Sequence, residues 1–175
     1  MDAVEIFLRL IGAFYAFAGY VATRAALTSH FLDRAIAAIA VKKPSATEKA
    51  QAIWLITAAS LVLTGGIALT LLLDLSVWLF VASALGQAVY IGFVAPKFFD
   101  VADPPDLKGR RQTTNAFVIY SAATALVIWA DFTGRLKSWP EVPVPFLALA
   151  GALVLAHLGH AVWHFSRPIG GRDSA

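Results

Sequence analysis

The hydrophobic positions of this chain fall into five long runs, separated by shorter segments that hold most of the charge. The runs cover about residues 6–27, 52–73, 75–95, 116–136 and 144–165. A helix of about 20 mostly apolar residues is long enough to cross the ~30 Å hydrocarbon core of a bilayer. Because each run reaches that length, the pattern predicts an all-α, polytopic membrane bundle of five transmembrane helices. The number falls to four if the first run does not span.

Composition supports this assignment and excludes other classes of protein. Hydrophobic residues make up 59% of the chain and charged residues 14%, so a soluble fold would expose too much apolar surface. With 175 residues, the chain predicts a single transmembrane domain over 1–175. The absence of cysteine excludes disulfides and thiolate metal sites. The net charge of +3 does not indicate a nucleic-acid partner, because the basic residues flank the apolar runs.

Lysine and arginine are distributed unevenly between the two ends of the runs. Ten of them lie in the long loops (28–50 and 97–113) and the C-terminal tail, whereas only Arg135 and Lys137 lie on the other side. The positive-inside rule therefore predicts an outside N-terminus and a cytoplasmic C-terminus in a bacterial-type inner membrane. The acidic start, with Asp2 and Glu5, indicates that the first run is a retained helix rather than a cleaved signal.

Three histidines share one face of the fifth predicted helix. His157, His160 and His164 are spaced by three and four residues, so they fall within an arc of roughly 60°. Neutral imidazoles at this spacing can hold a metal in pairs, and His160 with His164 is the best placed pair. Haem is a further alternative, although its two axial histidines normally come from different helices. In the simplest interpretation, the three side chains are hydrogen-bonding groups that face a polar groove.

Other charged and polar residues at the predicted membrane depth are costly and therefore also candidates for pairing or function. Arg9 and Asp131 are expected at similar depths on the first and fourth helices, which predicts a buried ion pair, with Glu5 as the alternative partner of Arg9. A second polar group comprises Arg24, Gln87, Tyr90, Asn115 and Tyr120. These five side chains either line a cavity open to the cytoplasm or hydrogen-bond neighbouring helices. Arg110 and Arg111, at the start of the fourth helix, are predicted to contact lipid phosphate.

Small residues predict where helices approach each other closely. Gly12 and Gly19 are seven residues apart and share one face of the first helix. Gly65 and Gly66 are adjacent in the second helix, and Gly86 is expected to serve likewise in the third. Small side chains allow transmembrane backbones to come together.

The ends of the helices are indicated by local signals. The apolar rhythm of residues 30–39 predicts either an extension of the first helix or a short helix on the membrane surface. Ser45 and Glu48 have the spacing of a capping box before the second helix. Thr113 or Thr114 is predicted to cap the fourth helix.

The first helix also carries a short pattern found in a known family. Arg9, Leu10, Gly12, Phe14 and Gly19 follow the order Arg-Leu-x-Gly-x-Phe-x4-Gly. This pattern resembles the opening helix of DoxX-type small membrane proteins and covers about one helix in five. The resemblance implies a four-helix bundle associated with redox or quinone-linked systems and accessory subunits, and it implies no site residues.

Three functional hypotheses follow from the sequence. The first is a non-catalytic accessory or assembly subunit of a larger membrane complex, because no catalytic constellation is recognisable and few charges lie deep. The second is a metal- or haem-binding membrane protein that uses the histidines of the fifth helix. The third is a small transporter, which would act as a homo-oligomer because five helices are few for alternating access.

Overall fold

Five long helices make up most of the structure. The computed structural model describes residues 2–40, 46–99 and 107–167. The helices are α1 (Ala3–Ile39), α2 (Ala46–Thr70), α3 (Leu75–Val89), α4 (Leu107–Phe132) and α5 (Val144–Ser166). When α3 is counted together with the helical segment that follows it, all five are long and apolar enough to cross a membrane. The prediction of an all-α bundle with five membrane-length helices is therefore confirmed.

The connections define two ends of the bundle. The α2–α3 and α4–α5 connections lie at the end that we call the short-turn face. The long-loop face is the opposite end, where α1 ends and α4 begins.

The helices α1 and α4 extend well beyond their apolar runs at the long-loop face. Residues 30–39 extend α1 without a break, so they do not form a separate surface helix. The fourth helix begins at Leu107, well before the predicted start at 116. Thr113 and Thr114 therefore do not cap it; each hydroxyl donates to the carbonyl oxygen four residues earlier, a bond that lets threonine sit inside a helix. The predicted capping residue Ser45 lies outside the described residues.

The third helix changes its winding after Val89. Residues Tyr90–Phe99 form a π-helical segment that contains Pro96. Proline has no N–H group to donate to the preceding turn, and its ring needs additional room there. A wider turn is one known response to such an interruption. The sequence pattern predicts the length of this helix but not its change from α-helical to π-helical winding.

The helices α1 and α2 touch backbone to backbone along a line that we call the glycine seam, formed by Gly12, Gly19 and Gly66. A Cβ atom on Gly12 would lie 2.5 Å from the Thr70 nitrogen, and one on Gly19 would lie 2.5 Å from the Leu63 nitrogen. Such separations leave no room for any side chain. The prediction that Gly12 and Gly19 form a close helix contact is confirmed.

The remaining predicted glycines differ in their roles. A Cβ atom on Gly66 would overlap the backbone of Ala16 in α1. Its neighbour Gly65 points to α3, where a Cβ atom would lie 3.2 Å from the ring of Phe80. Gly86 has no atom within 4 Å of its Cβ position, so the expectation that it serves as a packing glycine is wrong.

An aromatic cluster joins α1, α3 and α4 beside the seam. Tyr15 meets Phe80 and Tyr120 edge to face, with ring centroids 5.5 and 5.1 Å apart, and the latter two rings stack at 5.3 Å. The other buried members of this core are Leu8, Leu69, Leu72, Val127 and Ala130. These residues all belong to α1–α4 and their connections, so α5 lies outside the main core.

The α2–α3 turn at the short-turn face depends on a leucine in the left-handed conformation. Leu72 has φ 58°, and its N–H and that of Leu73 donate to carbonyl groups of the last turn of α2, as in a Schellman cap. Gly134 (φ 68°) closes α4 in the same way. Leucine in this conformation costs about 1–2 kcal/mol. Complete burial of the Leu72 side chain and a 2.6 Å hydrogen bond from the Lys137 N–H to its carbonyl oxygen offset that cost.

The N-terminus is attached to the same face through Asp2. Its Oδ1 accepts a hydrogen bond of 2.8 Å from the Glu5 backbone N–H and so caps α1. Its Oδ2 forms an ion pair with Arg135 in the α4–α5 connection. The Glu5 N–H and the Arg135 guanidinium both lower the pKa of Asp2.

We expect this attachment to respond to acid. Because the pKa of Asp2 is lower in the folded protein, the stabilisation is complete above the unfolded-state pKa and disappears as the pH falls through the folded-state pKa. Substitution Arg135→Gln should raise the pKa of Asp2 while leaving the Glu5 hydrogen bond in place. The pKa is measured by ¹³C NMR of the Asp2 carboxyl group during a pH titration. An unchanged midpoint in Arg135→Gln would show that the ion pair is absent in solution.

We also expect alanine in the glycine seam to destabilise the bundle. Gly12→Ala and Gly66→Ala each place a methyl group inside backbone atoms, so each should cost about 1–3 kcal/mol. Gly86→Ala is the matched control, because its methyl group enters open space and alanine favours the helix. Reversible unfolding in detergent micelles measures the difference. Equal stability of Gly66→Ala and Gly86→Ala would contradict the seam.

Candidate functional site

A buried polar contact lies between α1, α2 and α5. The Nε2 atom of His157 is 3.3 Å from the Thr23 hydroxyl and 3.2 Å from the Ser60 hydroxyl. All three side chains are buried. We call this group the histidine node. It is one of the points at which α5, which buries only His157 and Ala161 among its residues, is attached to the rest of the bundle.

The hydrogen bonds of the node restrict where its protons lie. The Thr23 hydroxyl donates to the Gly19 carbonyl oxygen at 2.9 Å, so toward His157 it acts as an acceptor. Nε2 therefore either carries a proton that it donates to the hydroxyls, or accepts one from Ser60. In the first arrangement one imidazole nitrogen links three helices, whereas in the second it bonds only to Ser60 and links α5 to α2. The node is thus suited to holding helices together, as the simplest interpretation of the histidines predicts for this residue.

The other two histidines of α5 lie apart from the node. The rings of His160 and His164 have centroids 4.3 Å apart, and both side chains are exposed. They line a cleft between α1 and α5 with a volume of about 300 Å³. Its other lining residues are Arg24, Leu27, Thr28, Phe31 and Arg167. The predicted three-histidine face is therefore divided into one buried side chain and one exposed pair.

This division bears on the predicted metal and haem sites. Within the described ranges, no group of three or more His, Asp or Glu side chains is arranged to hold a metal ion. The pair of His160 and His164 keeps the spacing that the sequence indicates. The fourth histidine, His30, is buried in α1 and stacks on Phe165 with ring centroids 4.5 Å apart.

The structure does not bring Arg9 and Asp131 together. The Nη1 of Arg9 donates to the Thr70 carbonyl oxygen at 2.6 Å, at the end of α2. Asp131 is exposed on α4. A carbonyl oxygen freed at a helix C-terminus carries partial negative charge, and so it can receive the guanidinium in place of a carboxylate.

The five polar residues predicted to line a cavity are distributed over separate places. Arg24 lies in the α1–α5 cleft, and Tyr120 belongs to the aromatic cluster. The Gln87 amide donates to the Ser83 hydroxyl within α3, and the Tyr90 hydroxyl accepts a 3.5 Å hydrogen bond from Gln51 of α2. Asn115 is exposed on α4. Tyr90 therefore hydrogen-bonds a neighbouring helix and Tyr120 packs between helices, whereas Arg24 lines a cleft, so the five residues share neither of the two predicted roles as a set.

The two arginines predicted to contact lipid phosphate lie near the start of α4. Arg110 and Arg111 are both exposed at the long-loop face. Their position fits the prediction of lipid contact, which stays a prediction.

A second opening lies on the other side of α5. It is a groove of about 400 Å³ between α2 and α5. Its lining is mostly aliphatic, with three hydroxyl groups from Thr57, Ser60 and Thr64. Ser60 thus has one side toward the groove and one toward His157.

Sequence reasoning did not identify three residues of these sites: Thr23, Ser60 and Arg167. Thr23 follows Gly19 by four residues, and a hydroxyl one turn after a packing glycine is a usable signal for an interhelical contact. Arg167 is one residue beyond the end of α5, so its place next to Arg24 depends on how α5 packs.

The fold and these sites define a class of protein but no family. By helix length and composition, the chain is a multi-pass membrane protein. Comparison with models of known families, with curated proteins and with solved structures finds no significant match. The resemblance of helix α1 to DoxX-type proteins therefore stays a prediction.

We expect the histidine node to hold α5 against the bundle. His157→Leu removes both interhelical hydrogen bonds and should cost about 1–2 kcal/mol, the upper range for such bonds in membranes. Because the chain has no cysteine, an Ala161→Cys reporter can be labelled specifically, and its reaction with a maleimide should accelerate when His157 is replaced. His164→Leu is the control, because His164 is exposed and outside the node. Equal labelling rates in both variants would show that the node does not hold α5.

Proposed function

We propose that this protein is a non-catalytic accessory or assembly subunit that docks onto a transmembrane helix of a larger membrane complex. The observation that carries the proposal is a row of small residues on the exposed side of α5. We call it the small-residue stripe; its members are Ala148, Ala152, Ala156 and Gly159.

The stripe faces away from the rest of the bundle. At about 100° per residue, its members lie roughly opposite His157 and Ala161, the two buried residues of α5. A Cβ atom on Gly159 would have nothing within 4 Å. Larger exposed side chains flank the stripe, Leu155 on one side and Leu149 on the other, so we infer a shallow furrow between them.

Within this bundle, small residues on one helix already allow a second helix to pack closely against it. In the glycine seam, Gly12 and Gly19 allow α2 to approach α1 to backbone contact. Spacings of four and three residues between small side chains are a common basis of transmembrane helix association. We therefore infer that the furrow on α5 receives a helix of another polypeptide.

The way the membrane-embedded polar groups are used also supports a packing role. His157 binds hydroxyls of two neighbouring helices, and Arg9 binds a carbonyl oxygen of α2. Such bonds fix the relative positions of helices. The association of DoxX-type proteins with accessory subunits agrees with the proposal without carrying it.

The proposal includes an orientation. Under the positive-inside rule, the long-loop face lies in the cytoplasm and the short-turn face lies outside, in a bacterial-type inner membrane. The stripe then begins near the outer surface at Ala148 and ends in the cytoplasmic half at Gly159.

Bulky substitutions in the stripe test the proposal. Ala152→Leu should fill the furrow and release the protein from its complex, whereas Ala125→Leu, an exposed position on α4, should have no effect. The measurement is the size of the native assembly in mildly solubilised membranes, followed on native gels. In parallel, Ala152→Cys should cross-link to a polypeptide of different mass, and Ala125→Cys should not.

The outcomes separate the possible partners. Loss of the large assembly in Ala152→Leu alone, with a heterologous adduct at Ala152→Cys, supports the accessory role. An adduct of twice the mass of this chain would assign the stripe to a homodimer and contradict it. An assembly that survives Ala152→Leu unchanged would also contradict it.

A further inference from the structure

The cleft between α1 and α5 collects positive charge near the long-loop face. It contains Arg24 and Thr28 from α1 and His160, His164 and Arg167 from the end of α5. Its apolar wall is formed by Leu27 and Phe31. No carboxylate is among the described residues that line it. Two permanent cations and two imidazoles thus surround a volume of about 300 Å³.

The two guanidinium groups have no anionic partner among residues 2–40, 46–99 and 107–167. The Nη1 of Arg24 is 3.5 Å from the Tyr20 hydroxyl. The guanidinium carbon of Arg167 lies 3.5 Å from the centre of the Trp163 ring. Neither contact neutralises the charge. An uncompensated guanidinium near the membrane attracts an anion, and its planar set of donors matches phosphate.

The cleft is held open by contacts within the chain. The Nη1 of Arg34 in α1 donates to the carbonyl oxygen of Arg167 at 2.8 Å. One turn earlier, His30 stacks on Phe165 of α5. These contacts fix the end of α5 beside α1, so Arg167 faces the cleft without requiring a ligand. Preorganisation of this kind reduces the entropic cost of binding.

The charge of the cleft indicates whether its ligand is a cation or an anion. His160 and His164 are close enough to offer two nitrogens to a metal ion. Arg24 and Arg167, however, would repel a divalent cation in the same cleft. The described residues provide no third histidine or carboxylate ligand there. The arrangement therefore disfavours a metal ion at this pair.

We propose that the α1–α5 cleft binds a phosphate group, with Arg24 and Arg167 as its main ligands and the two imidazoles as additional hydrogen-bonding groups. The volume is at the lower end of the range for small-ligand pockets, which fits a headgroup rather than a whole lipid. The phosphate comes either from an anionic phospholipid or from a soluble phosphate compound. This site is on a different face of α5 from the small-residue stripe, so it stands or fails independently of the accessory role.

The experiment compares lipid and free phosphate as ligands of the purified protein. Native mass spectrometry measures phosphatidylglycerol retained after extraction from nanodiscs that mix it with phosphatidylcholine. Arg24→Gln and Arg167→Gln should each reduce retention about tenfold or more, because each removes charge-assisted hydrogen bonds. Lys97→Gln is the control, since it removes an exposed cation near the same face but outside the cleft. Binding of inorganic phosphate is measured by ³¹P NMR in zwitterionic detergent.

Each result has a definite meaning. Retention of phosphatidylglycerol that depends on Arg24 and Arg167, without binding of inorganic phosphate, identifies a lipid headgroup site. Binding of inorganic phosphate that depends on the same two residues identifies a site for soluble phosphate compounds. Variants that bind like Lys97→Gln would overturn the proposal, as would stoichiometric Zn²⁺ binding lost in His160→Ala. Arg24→Lys and Arg167→Lys, which keep the charge, serve as folded variants and should retain part of the binding.

Discussion

The contact between α1 and α2 is the constraint on which the other features of this bundle depend. Gly12, Gly19 and Gly66 remove the side chains that would otherwise separate the two backbones. The close approach places Tyr15 against the aromatic core and Arg9 within reach of the Thr70 carbonyl oxygen. It also connects to the histidine node, because the carbonyl oxygen of Gly19 accepts the hydrogen bond of the Thr23 hydroxyl, whose oxygen can then accept from His157. The polar contacts of Arg9 and His157 therefore depend on the same close packing of α1 against α2.

The fifth helix is different from the other four because it is only lightly attached. It contributes no residue to the main core. Its contact with α1 and α2 depends on His157, Ala161, the stacking of Phe165 on His30 and the hydrogen bond from Arg34 to the Arg167 carbonyl oxygen. Three sides of α5 therefore differ in the surfaces that they form. One side closes the cationic cleft with α1, a second closes the apolar groove with α2, and the third carries the small-residue stripe. A helix with this division is suited to joining a stable four-helix core to a partner and to a ligand at the membrane surface.

Much of the fold could be predicted from the sequence, because membrane length and apolar composition constrain helices strongly. The five runs and the packing role of Gly12 and Gly19 follow from local patterns. The pattern of residues 30–39 left two alternatives, of which the structure has the extension of α1. The sites were harder to predict, because they depend on which helix faces align. The spacing of His157, His160 and His164 places them on one face, but only the packing of α5 divides them between a buried node and an exposed pair. Likewise, similar depths for Arg9 and Asp131 did not imply contact, since depth carries no information about rotation around the helix axis. The left-handed Leu72 gave no signal, because glycine is the residue expected there.

The most direct test of this account is solid-state NMR of the protein in lipid bilayers, with ¹³C labels in glycine and alanine. The account predicts interhelical cross-peaks between the backbone carbons of Gly66 and Ala16 and between those of Gly19 and Ala59, because these pairs lie in the glycine seam. Absence of both cross-peaks, or a pattern that pairs Gly12 and Gly19 with a helix other than α2, would contradict the account.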